Sequence, residues 1–371
     1  MIIYLRNITC IILFFISCKE EKKLFDLISG DESGIEFENT INEFDSINIF
    51  NNIYVYNGGG VAIGDVNNDG LQDLFFTGNQ VDNKLYLNKG NLQFQDITLL
   101  AKVNKDKGQW SMSANFVDIN NDGKMDIYVC NAMYPDTIRR KNLLYINEGN
   151  NDKGIPTFSE QAQSYGLDHA SHSNNIQFFD YDQDGDLDLY IAVNSSIRNL
   201  ENQFILHSRK LVQANTDHLL ENIWDEKLQH GRFMDVSQDK GIVWEGYSNS
   251  CLITDINGDT KPDIYVGNDF LSNDIWYVNQ AKDSSFFFEN RVKEIFKHQS
   301  YSAMGADMAD VNNDGWMDFI TTEMLPYDNR RKKTMLNANN YTYYINTEKF
   351  NYGYQYIRNT LQINQGLDPS G

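Results

Sequence analysis

The sequence predicts an all-β chain, a β-propeller of four-stranded blades, and three observations carry that expectation. A nine-residue acidic loop recurs five times, short apolar runs of β type flank each copy, and the chain after each copy divides into further short strands separated by turns. Four strands per repeat, at a period of several tens of residues, mark a propeller blade; a solenoid of stacked loops needs a much shorter period.

The loops occupy 65–73, 118–126, 180–188, 255–263 and 310–318, so they recur at intervals of 53, 62, 75 and 55 residues. Each carries acids or amides at positions 1, 3, 5 and 9. In the first these are Asp65, Asn67, Asp69 and Asp73; in the second, Asp118, Asn120, Asp122 and Asp126. The third has Asp180, Asp182, Asp184 and Asp188, the fourth Asp255, Asn257, Asp259 and Asp263, and the fifth Asp310, Asn312, Asp314 and Asp318. A tight turn that folds alternate side-chain oxygens inward suits a hard divalent cation, and the carbonyl of position 7 adds another oxygen. Position 7 is Leu71, Lys124, Asp186, Lys261 and Trp316, an indifference to side chain that a backbone ligand predicts. As a single motif this could be a surface turn rich in Asp, Asn and Gly; five copies in register point to about four to five Ca²⁺ ions. The fourth copy departs from the rest, with Thr260 where glycine is expected and Gly258 two places earlier. A β-branched residue disfavours positive φ, so this site is expected to be reshaped or weakest.

An EF-hand is excluded, since it needs a bidentate glutamate at position 12 between helices. That position holds Phe76, Val129, Ile191, Val266 and Thr321.

Composition agrees. The 371 residues are 41% hydrophobic and 13% aromatic, ample for a core, and the formal charge is −21. Such acidity argues against nucleic acid or an anionic membrane surface as partner. The loops hold 17 of the aspartates, so the charge reads as metal-site chemistry.

Taken in order, residues 1–18 read as an export signal, with Arg6 ahead of the apolar stretch Ile8–Ile16. It ends Phe15-Ile16-Ser17-Cys18, which resembles the lipobox of bacterial lipoproteins and makes Cys18 the expected lipidation site. Residues 19–33 read as a linker and 34–371 as the propeller. Cys130 and Cys251 lie in strands of different repeats, which favours buried free thiols over a disulfide.

Within a repeat, the loop is followed by an apolar strand and then by a strand of pattern N-x-L-Y-x-N-x-G, clearest at Asn83–Gly90 and Asn142–Gly149 and looser at Asn273–Asn279 and Asn359–Gly366. A phenylalanine-centred strand with a nearby acid comes next, as in Phe94-Gln95-Asp96 and Phe233-Met234-Asp235, and a small-residue run then enters the next loop. Ile35–Asn39 reads as a detached fourth strand. Residues 195–230, with Leu200, Phe204, Leu211, Leu219, Leu220, Ile223 and Trp224 among charges, read as one or two amphipathic helices inserted on a propeller face. Residues 324–358 form a second insertion, rich in tyrosine around the basic run Arg330–Lys333.

On these loops, together with Tyr56–Asp65, Asn83–Asn88 and Met304–Asp307, the chain resembles the FG-GAP/VCBS repeat family, whose loops sit in propeller blades of the integrin α-subunit type. It is particularly similar to the bacterial branch allied to cartilage acidic proteins and the ASPIC/UnbV group. The resemblance spans about residues 34–366 and implies a calcium-binding propeller, usually seven-bladed and often in a longer chain, so the five repeats are expected to be part of a larger ring.

No catalytic motif is present: there is no H-E-x-x-H, no G-x-S-x-G and no phosphate-binding loop, and His169 and His172 read as polar loop residues. The expectation is therefore a surface or outer-membrane lipoprotein that binds a protein or glycan in adhesion or nutrient capture. The alternative is a propeller scaffold for an enzyme whose catalytic part lies in the insertions or beyond residue 371.

Overall fold

A computed structural model describes residues 24–104, 108–194, 216–270, 272–282, 285–335 and 341–366. The export signal, with Cys18, and residues 195–215 of the first insertion lie outside the described residues.

The chain is a five-bladed β-propeller. Blade one is the antiparallel sheet β1 (Val61–Gly64), β2 (Asp73–Phe76), β3 (Lys84–Asn88) and β4 (Phe94–Asp96). Blade two repeats it with β5 (Trp110–Val117), β6 (Asp126–Ala132), β7 (Leu143–Asn150) and β8 (Pro156–Glu160). Blade three comprises β9 (Ser173–Phe179), β10 (Asp188–Val193), β11 (His218–Asp225) and β12 (His230–Asp235). Blade four comprises β13 (Ser248–Thr254), β14 (Asp263–Asn268), β15 (Ile275–Lys282) and β16 (Ser285–Asn290). After β17 (Gln299–Ser300), blade five has β18 (Gly305–Ala309) and β19 (Asp318–Thr322). Its third strand, β21 (Thr360–Gln362), comes after β20 (Gln355–Tyr356), which pairs in parallel with β17.

The first strands of successive blades touch in series, β1 to β5 to β9 to β13 to β18, so each acidic loop, which joins a blade's first strand to its second, lies at the same end of its sheet. The second strands carry the packing. All of β6 is buried, and its period-two alternation sends Ile127 and Val129 into a core shared with blade one. Tyr128 and Cys130 enter the next core, shared with blade three. The same division recurs at β10 and β14, so the apolar interior is a series of cores between neighbouring sheets. Cys130 and Cys251 are buried free thiols, as expected.

Two expectations are corrected. Leu219, Leu220, Ile223 and Trp224 lie in β11 and not on a helix. They belong to a strand because Leu219 and Leu220 fill opposite cores, which requires a period of two. Ile35–Asn39 is not a strand either: it lies against blade one, with Phe37 stacked on Phe76 at 5.1 Å and Asn39 Nδ2 donating to Asn79 Oδ1 at 2.7 Å. Among the described residues, no strand pairing joins residues 34–58 to blade five. Residues 41–55 instead reach over the blades, where Ile41, Ile47, Tyr54 and Val55 pack with Trp110 and Met133.

In the second insertion the described residues form two helices, Asn329–Met335 and Tyr341–Lys349. Its tyrosines divide: Tyr352 is buried, whereas Tyr327, Tyr354 and Tyr356 are exposed.

The core between blades four and five centres on Trp276, fully buried against Tyr265, Phe296 and Phe319 at ring separations of 5.2, 5.1 and 5.5 Å. Trp276→Ala is expected to cost about 3–5 kcal/mol, measured as a fall in the urea midpoint at unchanged slope.

Candidate metal centres

Each loop is built by one scheme of hydrogen bonds, set by its own acids. In the first, Asp65 Oδ1 accepts the Asp69 N–H at 3.1 Å and its Oδ2 accepts the Gly70 N–H at 2.7 Å. Asp69 Oδ1 accepts the Leu71 N–H at 2.9 Å, which closes the turn. The same three contacts recur in the other four loops, from Asp118, Asp180, Asp255 and Asp310.

Closing so tight a turn takes two residues with left-handed backbone. Position 6 has φ of 87, 80, 99, 68 and 92°, and position 4, which sequence reading missed, has 59, 56, 61, 73 and 60°. The signal was present: position 4 is Asn68, Asn121, Gln183, Gly258 and Asn313, and asparagine and glycine tolerate that region best. The fourth loop is thus not reshaped. Its glycine has moved to the other left-handed position, and Thr260 accepts φ of +68° with all the loop's hydrogen bonds intact.

Position 9 fastens the loop to its blade. Asp73, Asp126, Asp188, Asp263 and Asp318 are all buried. Asp126 shows the pattern: Oδ2 accepts the Ile119 N–H at 3.1 Å, and Oδ1 accepts the Asn147 N–H of the third strand at 2.7 Å. Asn88, Asn222, Asn279 and Asn364 serve the other loops in the same way. The final asparagine of N-x-L-Y-x-N is therefore a loop anchor. The first residue of that pattern caps the second strand: Asn83, Asn142, Asp217, Asp274 and Asn359 each accept the backbone N–H at its end, so the blade-four copy begins at Asp274, one residue later than the sequence reading placed it at Asn273. In blade three the pattern reads Asp217-His218-Leu219-Leu220-Glu221-Asn222, with an acid for the first asparagine, and sequence reading passed over it.

The loops are also tied to one another. Asn68 Nδ2 donates to Gly123 O at 3.0 Å and Gln183 Nε2 to Thr260 O at 2.8 Å. Asn147 Nδ2 reaches Val66 O, and Asn279 Nδ2 reaches Tyr181 O, at 2.9 and 2.8 Å.

The five loops differ in what faces their carboxylates. In the second and fourth, Lys124 and Lys261 fold back as ammonium partners onto Asp122 and Asp259. In the first and fifth, Asn67 and Asn312 donate to Asp69 and Asp314 at 3.0 and 2.9 Å. The third has neither device. Asp182 Oδ1 and Asp186 Oδ1 are buried with no hydrogen-bond partner, and oxygens of Asp180, Asp182 and Asp188 lie within 4.8 Å of one another. Burial pushes Asp188 up to about 8 and Asp186 up to about 6, and the neighbouring loop aspartates add to both shifts. Burial likewise holds Asp73, Asp126 and Asp263 near 6. An all-oxygen donor set with unmet buried carboxylates fits a hard divalent cation, which would supply the missing countercharge. Leu71, Lys124, Asp186, Lys261 and Trp316 stand at position 7 with their N–H groups used in the turn. Trp316 also packs its indole between Gly258 of the neighbouring loop and Gly366.

A family described as an FG-GAP-like repeat matches residues 65–129 and 255–321, the spans from loop one into blade two and from loop four into blade five. No curated protein matches the chain. Among solved structures it is similar to the crystal structure of the exotype rhamnogalacturonan lyase YesX, at 9% identity and a TM-score of 0.27. That match covers 71% of this chain and 56% of the other.

Replacing Thr260 by glycine removes a β-branched residue from a left-handed position and is expected to stabilise the protein by about 1 kcal/mol. A lower melting temperature for Thr260→Gly than for the parent would contradict the strain assigned to this loop.

Proposed function

Because this chain belongs to the FG-GAP-like repeat family, we propose that it is a calcium-stabilised surface propeller, held to the membrane by lipidated Cys18, that binds a protein or glycan ligand. The observation that carries the calcium reading is the third loop, where Asp182 and Asp186 bury acceptor oxygens that no group of the protein satisfies. In each loop the side chains of positions 1, 3, 5 and 9 and the carbonyl of position 7 would hold the ion. Binding of Ca²⁺ neutralises the clustered carboxylates, and the protein's own hydrogen bonds pre-shape the loop before the ion arrives. We rank the third loop tightest, since no lysine or amide competes there for the carboxylates.

A ligand seat is supported by a groove of about 410 Å³ lined by Trp244, Asn273, Arg291, Lys293, Glu294 and Phe350. Aromatic faces beside amide and charged groups suit sugar hydroxyls and rings or a polar protein surface. One feature favours the enzyme alternative: Asp274 borders this groove, and burial pushes its carboxyl up to about 7. Asp274 nonetheless accepts the Asn268 N–H at 3.0 Å, the strand-capping role of Asn83 and Asn142 in other blades, and we assign it that role.

Calcium counting by equilibrium dialysis tests the metal reading. About four to five ions per chain are expected for the parent, and Asp182→Ala should lose the tightest of them while retaining the rest. Identical stoichiometry and affinities in parent and variant would contradict the assignment.

A further inference from the structure

At the end of blade three opposite its acidic loop, His169, His218 and Asp235 bring one ligand atom each within 4.8 Å of one another. We propose that these three residues form a second kind of metal site, for a borderline divalent cation of the Zn²⁺ class, with an open coordination position toward solvent.

The chemistry of the donors separates this site from the loops. Two imidazole nitrogens and one carboxylate suit Zn²⁺ and its neighbours, whereas Ca²⁺ takes oxygen alone. His218 opens β11, and Asn222, which anchors Asp188 of the acidic loop, lies four residues further along the same strand. At about 3.3 Å per residue the two sites are roughly 13 Å apart.

The ligand atoms are already selected. His169 Nδ1 is engaged by Ser171 Oγ at 3.1 Å, which leaves Nε2 facing Asp235 Oδ2 at 4.0 Å. His218 presents Nδ1 to the same oxygen at 2.9 Å. The other carboxylate oxygen, Asp235 Oδ1, accepts the Ser237 N–H at 3.0 Å and the Ser237 hydroxyl. Supporting partners of this kind fix ring orientation and tautomer in metal sites. The imidazoles lie 4.1 Å apart at a tilt of 54°, near enough for one ion to be shared.

Blade one shows what the same strand positions do without a metal. Lys84, one residue past Asn83 as His218 is one past Asp217, pairs with Asp96 at 2.7 Å across β3 and β4. Blade three replaces the permanent ammonium with an imidazole and adds a second imidazole from the segment preceding β9. A structural ion pair needs neither change. Side-chain exposures of 26, 14 and 43% for His169, His218 and Asp235 leave the ion a path in.

The test is Zn²⁺ titration of the full chain with calcium in excess, read by competition with a chromophoric chelator, beside the visible spectrum of the Co²⁺ form. One Zn²⁺ per chain is expected, with a Co²⁺ spectrum of nitrogen–oxygen ligation. His169→Ala and His218→Ala should abolish both, and Ser171→Ala, which keeps all three ligands, should weaken Zn²⁺ about 10–100-fold. Absence of Zn²⁺ binding by the parent overturns the proposal without recourse to any variant. Equal binding by the parent and by a folded His169→Ala/His218→Ala double variant overturns it too, since the ion would then sit elsewhere.

Discussion

The interaction on which this structure depends is the buried aspartate at the ninth position of each loop. Its two oxygens accept backbone N–H groups from different places, one within its own loop and one on the third strand of the blade. A charge-assisted hydrogen bond to a carboxylate is among the stronger neutral-pH contacts available to a backbone. Here five buried aspartates make ten backbone hydrogen bonds, two each, which fix where each loop sits on its sheet. The loop ties extend this to neighbours, because Asn147 and Asn279 reach carbonyls of the preceding blade. The arrangement is demanding, since it buries carboxylates, and burial shifts the ionisation of Asp73, Asp126, Asp188 and Asp263 to higher pH. Under the proposed calcium reading, a bound cation would supply the countercharge that these buried carboxylates lack.

Much of the fold was legible in the sequence because its turn chemistry is local. Asp, Asn and Gly at fixed offsets specify a loop without reference to distant contacts, and the apolar runs on either side have the right length for strands. The features that were not legible depended on partners far away in the chain. Leu219–Trp224 looks like an amphipathic helix beside charges, and only two cores on opposite faces of β11 reveal its strand period. Asp217 hid the third copy of the N-x-L-Y-x-N pattern, because the strand-capping role needs an acceptor oxygen and not an asparagine. The His169–His218–Asp235 cluster joins residues up to 66 positions apart across three connections, so no spacing rule could find it.

The five sites are not equivalent, and the differences are electrostatic. Lys124 and Lys261 give their loops a built-in countercharge, which would compete with a cation for the same carboxylates. Amides at Asn67 and Asn312 offer a weaker substitute. The third loop concentrates five aspartates with neither, and it leaves buried oxygens of Asp182 and Asp186 without a hydrogen-bond partner. Blade three, with this loop at one end and the imidazole cluster at the other, is where ligand chemistry is densest among the described residues.

Calorimetric unfolding of the chain in calcium and in chelator, with the bound metal counted, tests the central claim most directly. Each ion that binds only the folded state contributes about 2.7 kcal/mol when calcium is a hundred times its Kd, so several occupied loops predict a large rise in melting temperature. An unchanged melting temperature with no metal bound would mean that the aspartates serve only as turn formers and strand anchors, and the calcium account would fall.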